Sequence, residues 1–278
     1  MYADLHNHTV YSDGTDTPLA LCRRAAEYGL RVISITDHDS IGAYAELNGT
    51  PRPLPVDIIP GVEISVEIDH VMIHILGYFI DVNDLGLIDL LARMAADKTE
   101  SSRLNFERAK ELGLFDYEWS HVISHYPGKA RIGGVCTARA IEAAGIEVHG
   151  MSHMEMCSKV FMPSNPDYIS VSTVTARNTI ESILNAGGVP VIAHPGSLGD
   201  DKLVMDLIRQ GLRGIEAFHP AHNDNDARRY LRMARDNGLY ITGGTDWHGG
   251  NNAGNRAFAS HGLEDDSYGV LRHGKYFV

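Results

Sequence analysis

Two histidines two residues apart, His6 and His8, stand near the start of the chain in Asp4-Leu5-His6-Asn7-His8. On an extended backbone, side chains at i and i+2 share a face, so both imidazoles can reach one cation. Asp13 follows the loop Thr9-Val10-Tyr11-Ser12, and its carboxylate can return to the same place. A His-x-His pair alone is a weak signal. This chain, however, repeats the chemistry at one run after another. His38 follows Arg31-Val32-Ile33-Ser34-Ile35, and Glu63 and His74 lie inside apolar runs. His194 follows Val189–Ala193, and Asp246 and His248 follow Leu239–Gly243. An unpaired buried carboxylate is costly, so Glu63 needs a cation or strong donors. Nitrogen and oxygen donors without cysteine suggest Mn²⁺, Fe²⁺ or Zn²⁺ and not a structural zinc site. The nine side chains, with Glu63 and Asp246 able to bridge, fit two or three divalent ions better than one.

The elements that must position these groups follow from periodicity. Thr17-Pro18 is a helix N-cap followed by proline at the first helical position. Leu19, Cys22, Ala25 and Ala26 then share a helical face, and Gly29 stops the helix. The β-branched run Arg31–Ile35 comes next, which makes a strand, helix, strand unit with short connections. Polar residues at the carboxyl ends of parallel strands are where barrel enzymes keep their sites. From about Leu85 to Leu112 the pattern is helical. The strand rhythm disappears over residues 97–172, where short helical stretches, aromatics and Pro127, Pro163 and Pro166 replace it. The expected class is α/β. A barrel domain is built from 1–96 and 173–278, and a small, mainly helical insertion at 97–172 roofs the site.

A chain of 278 residues is long enough for one large α/β domain with an insertion. Its net charge of −12 argues against a dedicated nucleic-acid surface. No stretch approaches the ~20 apolar residues of a membrane span. Cys22, Cys136 and Cys157 form no CxxC pair and read as reduced thiols. With no basic, apolar leader at the N-terminus, a cytoplasmic protein is expected.

The ordered set His6-x-His8-Thr9-x-x-Ser12-Asp13-Gly14, Thr36-Asp37-His38, Gly61-Val62-Glu63, His74, Ala193-His194-Pro195 and Asp246-x-His248 resembles the motif series of the PHP (polymerase and histidinol phosphatase) family. It is similar in particular to the trinuclear phosphoesterases that carry a helical insertion. The resemblance implies a distorted (β/α)₇ barrel. It assigns His6, His8, Glu63 and Asp246 to a first ion, Mn²⁺ by preference. Glu63, His74 and His194 are assigned to a second, and Asp13, His38 and His248 to a third. Asp37 would orient a ligand histidine or cap its strand. The implied reaction is hydrolysis of a phosphate ester by a metal-activated hydroxide between ions bridged by Glu63 and Asp246. His222, in His219-Pro220-Ala221-His222, matches a histidine near the substrate phosphate in relatives and is the candidate proton donor; His219 reads as a strand cap.

Relatives commonly carry an Arg-x-His pair in the insertion, facing the phosphate. Here the aligned positions are Gly134 and Cys136, so the usual grip is missing. Lys129, Arg131 and Arg139 are the candidate substitutes. The expected partner is a small phosphorylated molecule: a sugar phosphate, a nucleotide, or a cyclic diester such as phosphoribosyl 1,2-cyclic phosphate. No stable nucleic-acid or membrane partner is expected. A 5′-3′ exonuclease of short oligonucleotides and a non-catalytic metal-binding regulatory module are the alternatives. Hydrolysis of C–N or C–O bonds is disfavoured, because the bridging candidates are carboxylates and not lysine.

Overall fold

Thr17 opens the first helix: its side chain accepts the Ala20 N–H, and α1 (Pro18–Glu27) buries Leu21, Cys22 and Ala25. In the structure, a computed structural model, residues 1–50, 53–69, 71–127, 131–162, 165–250 and 257–273 are described. Helix α1 joins β1 (Ala3–Asp4) to β2 (Val32–Ile35), which pairs with β1 in parallel. After α2 (Gly42–Asn48), β3 (Asp57–Ile68) runs unbroken through Pro60-Gly61 and pairs in parallel with β2. β4 (Val71–Tyr78), β5 (Val189–Ile192), β6 (Gly214–Phe218) and β7 (Tyr240–Gly243) complete a sheet whose neighbours follow chain order.

β5, β6 and β7 are parallel, but β4 is antiparallel to β5, with Ile75 opposite Ile192. That reversal is the distortion of the barrel. The two ends of the sheet nearly meet. Leu5 N–H donates to the Gly243 carbonyl at 3.1 Å and His8 N–H to the Trp247 carbonyl at 2.8 Å. The run Asp4–His8 is regular strand only as far as Asp4. Beyond it the Asn7 amide donates to the Asp4 and Ser34 carbonyls at 3.0 and 3.2 Å, drawing the chain inward.

The chain divides into two compact units. One holds residues 1–66, 73–88 and 176–278, and the other residues 67–72 and 89–175. In the first, Leu5, Val32, Ile59, Leu76, Tyr78 and Val191 pack as a barrel core, while α1 and α2 cover β2 through Leu21, Ile33, Tyr44 and Leu47. Each fully buried Leu, Ile or Val contributes about 1.5–3 kcal/mol by leaving water. Such packing offsets the cost of burying Asp4, His6, His8, Glu63 and Glu216 in the same unit. Helices α7 (Ala176–Asn185), α8 (Asp201–Arg209), α9 (Asp224–Asp236) and α10 (Asp265–His273) also belong to this unit.

The second unit contains most of α3 (Leu85–Glu111), with α4 (Trp119–Ser124), α5 (Gly134–Ala143) and α6 (His153–Val160). Its own core is built on Phe106, Phe115, Val122, Ile141, Met156 and Phe161. At the start of α5, Gly134 has no room for a side chain: a Cβ would lie 2.5 Å from the Phe161 carbonyl oxygen. No helix among the described residues is long and apolar enough to cross a membrane.

Candidate metal centre

The carboxyl ends of the barrel strands aim their side chains at one point. His6 and His8 extend past β1, His38 follows β2, Glu63 and His74 lie within β3 and β4, and His194, Asp246 and His248 follow β5 and β7. The loop carrying Asp13 is fixed by Asp37. That carboxylate accepts the Thr9 N–H at 2.7 Å, the Thr9 hydroxyl at 2.6 Å and the Ser12 hydroxyl at 2.6 Å. Asp37 therefore organises the loop between two candidate ligands and does not bond a ligand imidazole. Just past β7, Gly244 packs directly on His6, where a Cβ would lie 2.4 Å from the His6 backbone nitrogen.

Glu63 is the hub. Its Oε2 lies 3.3 Å from His6 Nε2, 3.2 Å from His8 Nε2 and 3.0 Å from His38 Nδ1. Its Oε1 lies 2.9 Å from His74 Nδ1 and 3.2 Å from His194 Nε2. Asp246 Oδ1 faces the same space, 3.1 Å from His8 Nε2 and 3.4 Å from His6 Nε2. An outer group forms around Asp13, with His248 Nε2 at 3.3 Å, His8 Nδ1 at 3.8 Å and His38 Nε2 at 4.0 Å. Four sets have donor atoms close enough to hold a cation: His6, His8, Glu63 and Asp246; His38, Glu63 and His74; His8, Asp13, His38 and His248; and His6, Glu216 and His219. Eight of the nine predicted ligands fall in these sets, with His8 and His38 each serving a second one, and the ninth, His194, lies against Glu63 and His74 at 3.2 and 3.3 Å.

The donor set fits cations. His6 Nε2, His8 Nε2, His38 Nδ1 and Glu63 Oε2 are buried, close together and without a hydrogen bond. Buried polar atoms are rarely left so, and a cation among them would satisfy all four at once. Electrostatics agree. Burial raises the Glu63 carboxyl, but His38, His6 and His74 outweigh it and hold the group well below the usual carboxylate range. Burial likewise opposes a charged His8, yet the adjacent Asp246 and Glu63 carboxylates push its pKa up to about 10. His38 is the exception: burial, with His8 and His74 nearby, keeps it well below the ordinary histidine value despite Glu63.

Two predicted roles need correction or relocation. His222 was expected as a proton donor, but both its ring nitrogens serve the backbone. Nδ1 donates to the Ala217 carbonyl at 3.0 Å, and Nε2 accepts the Gly196 N–H at 3.0 Å. It is a loop brace, with no nitrogen left for a substrate. Arg131 and Arg139 lie in the second unit, half-buried and exposed respectively, and Lys129 lies outside the described residues.

Sequence reading overlooked Glu216, buried in β6 behind His6, and Asp4. Glu216 carries the signal that revealed Glu63, a carboxylate inside an apolar run. Asp4 accepts the Thr245 N–H and hydroxyl at 3.0 and 2.5 Å, which ties β1 to the turn bearing Asp246. Burial raises the Asp4 carboxyl to about 6, against those donors.

Comparison with known proteins places this geometry. A model described as the PHP domain matches residues 4–126. A 3′,5′-nucleoside bisphosphate phosphatase of Chromobacterium violaceum is 30% identical over 257 residues, covering 88% of this chain and 86% of that protein. The chain belongs to the PHP family. This PHP protein is also 28% identical over 254 residues to the phosphoribosyl 1,2-cyclic phosphate 1,2-diphosphodiesterase of Eggerthella lenta, covering 90% of this chain and 95% of that one. It is 28% identical over 255 residues to a 5′-3′ exoribonuclease of Escherichia coli, covering 88% and 84% of the two. A solved structure from Bifidobacterium adolescentis, described as a metal-dependent phosphoesterase, superposes with a TM-score of 0.80 at 26% identity, covering 98% of this chain and 95% of that one. The expected fold class is borne out: a mixed α/β, nearly closed seven-stranded barrel. As a PHP phosphoesterase the chain is a hydrolase acting on phosphate esters.

Proposed function

We propose that this chain hydrolyses a small phosphorylated molecule with two or three divalent cations, and that its preferred substrate class is a cyclic phosphodiester on ribose. The observation that carries the metal reading is Glu63, one buried carboxylate within 3.3 Å of five imidazoles from four other strand ends. His6, His8, Glu63 and Asp246 would hold one cation, Glu63, His74 and His194 a second, and Asp13, His38 and His248 a third. A purely nitrogen and oxygen set suits Mn²⁺, which we take as the working metal ahead of Fe²⁺ and Zn²⁺. Such cations, when bound, make water a nucleophile near neutral pH and neutralise charge on phosphoryl oxygens. The protein's part is positional. Asp37 fixes the loop bearing His8 and Asp13, Asp4 fixes the turn bearing Asp246, and the buried carboxylates keep the cluster acceptor-rich.

The substrate class follows from charge. A phosphate monoester carries close to two negative charges at neutral pH, whereas a diester carries one. The Arg-x-His grip that relatives place in the insertion is replaced by Gly134 and Cys136. Position 134 cannot accept an arginine without displacing Phe161. Losing a cationic grip costs a monoanionic diester less than a dianionic monoester. The similarity to a cyclic phosphate diesterase agrees with this reading.

The test is a comparison of Mn²⁺-loaded protein on five substrates, with products resolved by phosphorus NMR. They are a five-membered ribose cyclic phosphate, its two monoesters, a nucleoside 3′,5′-bisphosphate and a short 5′-phosphorylated oligoribonucleotide. The cyclic diester is expected to turn over fastest. Turnover confined to the bisphosphate or the oligonucleotide overturns the substrate class, and no metal-dependent turnover of any ester overturns the whole reading.

A further inference from the structure

β6 is the one barrel strand, among the described residues, that supplies none of the nine candidate ligands. It places two buried groups behind them instead. Glu216 Oε1 accepts the His6 Nδ1 proton at 3.0 Å, and its Oε2 accepts the His194 backbone N–H at 2.7 Å. The first bond puts the His6 proton on Nδ1 and leaves Nε2 facing Glu63 and Asp246. The second holds His194 in a left-handed backbone, φ 30° and ψ 53°, a conformation that a non-glycine residue keeps only when its surroundings impose it. Just past β6, His219 Nδ1 accepts the Ala221 N–H at 3.0 Å. The ring proton of neutral His219 is therefore on Nε2. That nitrogen is buried, makes no hydrogen bond of good geometry, and points at Asp246 Oδ2 from 3.5 Å. The other oxygen of Asp246 is the one facing His6 and His8.

We infer that Glu216 and His219 are a positioning pair for the metal centre: Glu216 sets the His6 tautomer and the His194 backbone, and His219 turns Asp246 so that Oδ1 faces the cluster. The pair acts through ligands contributed by β1, β5 and β7. His6, Glu216 and His219 are close enough to hold an ion of their own, but the His6 nitrogen facing Glu216 is Nδ1, and the nitrogen facing Glu63 and Asp246 is Nε2, so the Glu216 contact is taken as a hydrogen bond behind the cluster. Groups of this kind typically alter metal affinity or activity 10- to 100-fold when changed.

This inference rests on the reading that His6, His194 and Asp246 hold cations, so its test is a binding measurement. Metal-stripped wild-type chain, E216Q, H219N and H219Q are titrated with Mn²⁺ by calorimetry, and the histidine tautomers of the stripped proteins are read by nitrogen-15 NMR. Asparagine at 219 can keep the acceptor for Ala221 but loses the distal donor; glutamine can keep the distal donor. E216Q and H219N are expected to weaken Mn²⁺ binding 10- to 100-fold, H219Q to stay within about threefold of wild type, and the His6 Nδ1–H signal to be lost or mixed in E216Q. Equal affinities for H219N and H219Q, or wild-type affinity and tautomer in E216Q, overturn it. Should E216Q not fold, the two position-219 variants decide alone. No Mn²⁺ binding by the wild-type chain would remove the parent reading, a result distinct from normal binding with unaffected variants.

Discussion

Glu63→Gln is the sharpest perturbation of the centre. The amide keeps the shape of the side chain but removes its charge and replaces one oxygen with an NH₂ group. That group would face either the three rings at Oε2 or the two at Oε1, all within 3.3 Å. Unit charges about 4 Å apart interact by about 4 kcal/mol at an effective dielectric of 20. Losing that attraction weakens binding of a cation by about 10³-fold, since 1.4 kcal/mol is tenfold. Two of the four candidate sets share Glu63, so two ions should be affected together. The assay is Mn²⁺ titration of the stripped protein, with metal content after gel filtration and turnover of a ribose cyclic phosphate in parallel. Circular dichroism checks the fold. Full metal stoichiometry with a dissociation constant within tenfold of wild type would refute the bridging role.

Other changes separate the parts of the site. Asp13→Asn touches only the outer set, and its side chain is 58% exposed, so about a tenfold loss confined to the weakest Mn²⁺ site is expected, seen as a change in one calorimetric phase. Gly134→Ala forces the start of α5 off Phe161, and thermal denaturation should register about 1–3 kcal/mol of lost stability. His222→Phe removes two backbone contacts; it should lower the melting temperature while leaving the dependence of rate on leaving-group pKa unchanged. Asp16 tests the sign of a titration. Burial raises its carboxyl, but the hydrogen bonds from Arg24 and Trp247 outweigh this and lower it below its usual value. A depressed folded value stabilises the protein above the unfolded pKa of about 3.9, and that gain is lost as pH falls through the folded value. Asp16→Asn should therefore melt earlier than wild type at pH 7, and the gap should close in acid. A gap independent of pH would show that the ion pair contributes nothing.

The ligands were legible because they are rare residue types at the ends of apolar runs. His6-x-His8, His38, Glu63, His74, His194 and Asp246-x-His248 each interrupt a pattern that otherwise predicts burial, and they converge, His194 through its contact with Glu63. The strands were legible for the same reason: β6 spans Gly214–Phe218, as its apolar run suggests. What the sequence hid is decided by hydrogen-bond geometry. His219 and His222 share one tetrapeptide, yet one ring points at Asp246 while the other is spent on Ala217 and Gly196. No spacing rule separates them. The antiparallel pairing of β4 with β5 was equally hidden, because about a hundred residues lie between the two strands. Gly134 could be read as a missing grip, but only the packing of Phe161 shows that a side chain there is excluded.

Trp247 stands between Asp246 and His248, with its carbonyl on His8 and its own N–H on the His6 carbonyl. Its indole is almost wholly buried, bonded to Asp16 and capped by Arg24. The chain has one other tryptophan, Trp119, in the second unit. With that one changed to phenylalanine, a single fluorophore would sit on the very backbone that carries the cluster. Paramagnetic Mn²⁺ arriving there would dim its emission directly, giving an optical record of filling that needs neither substrate nor label.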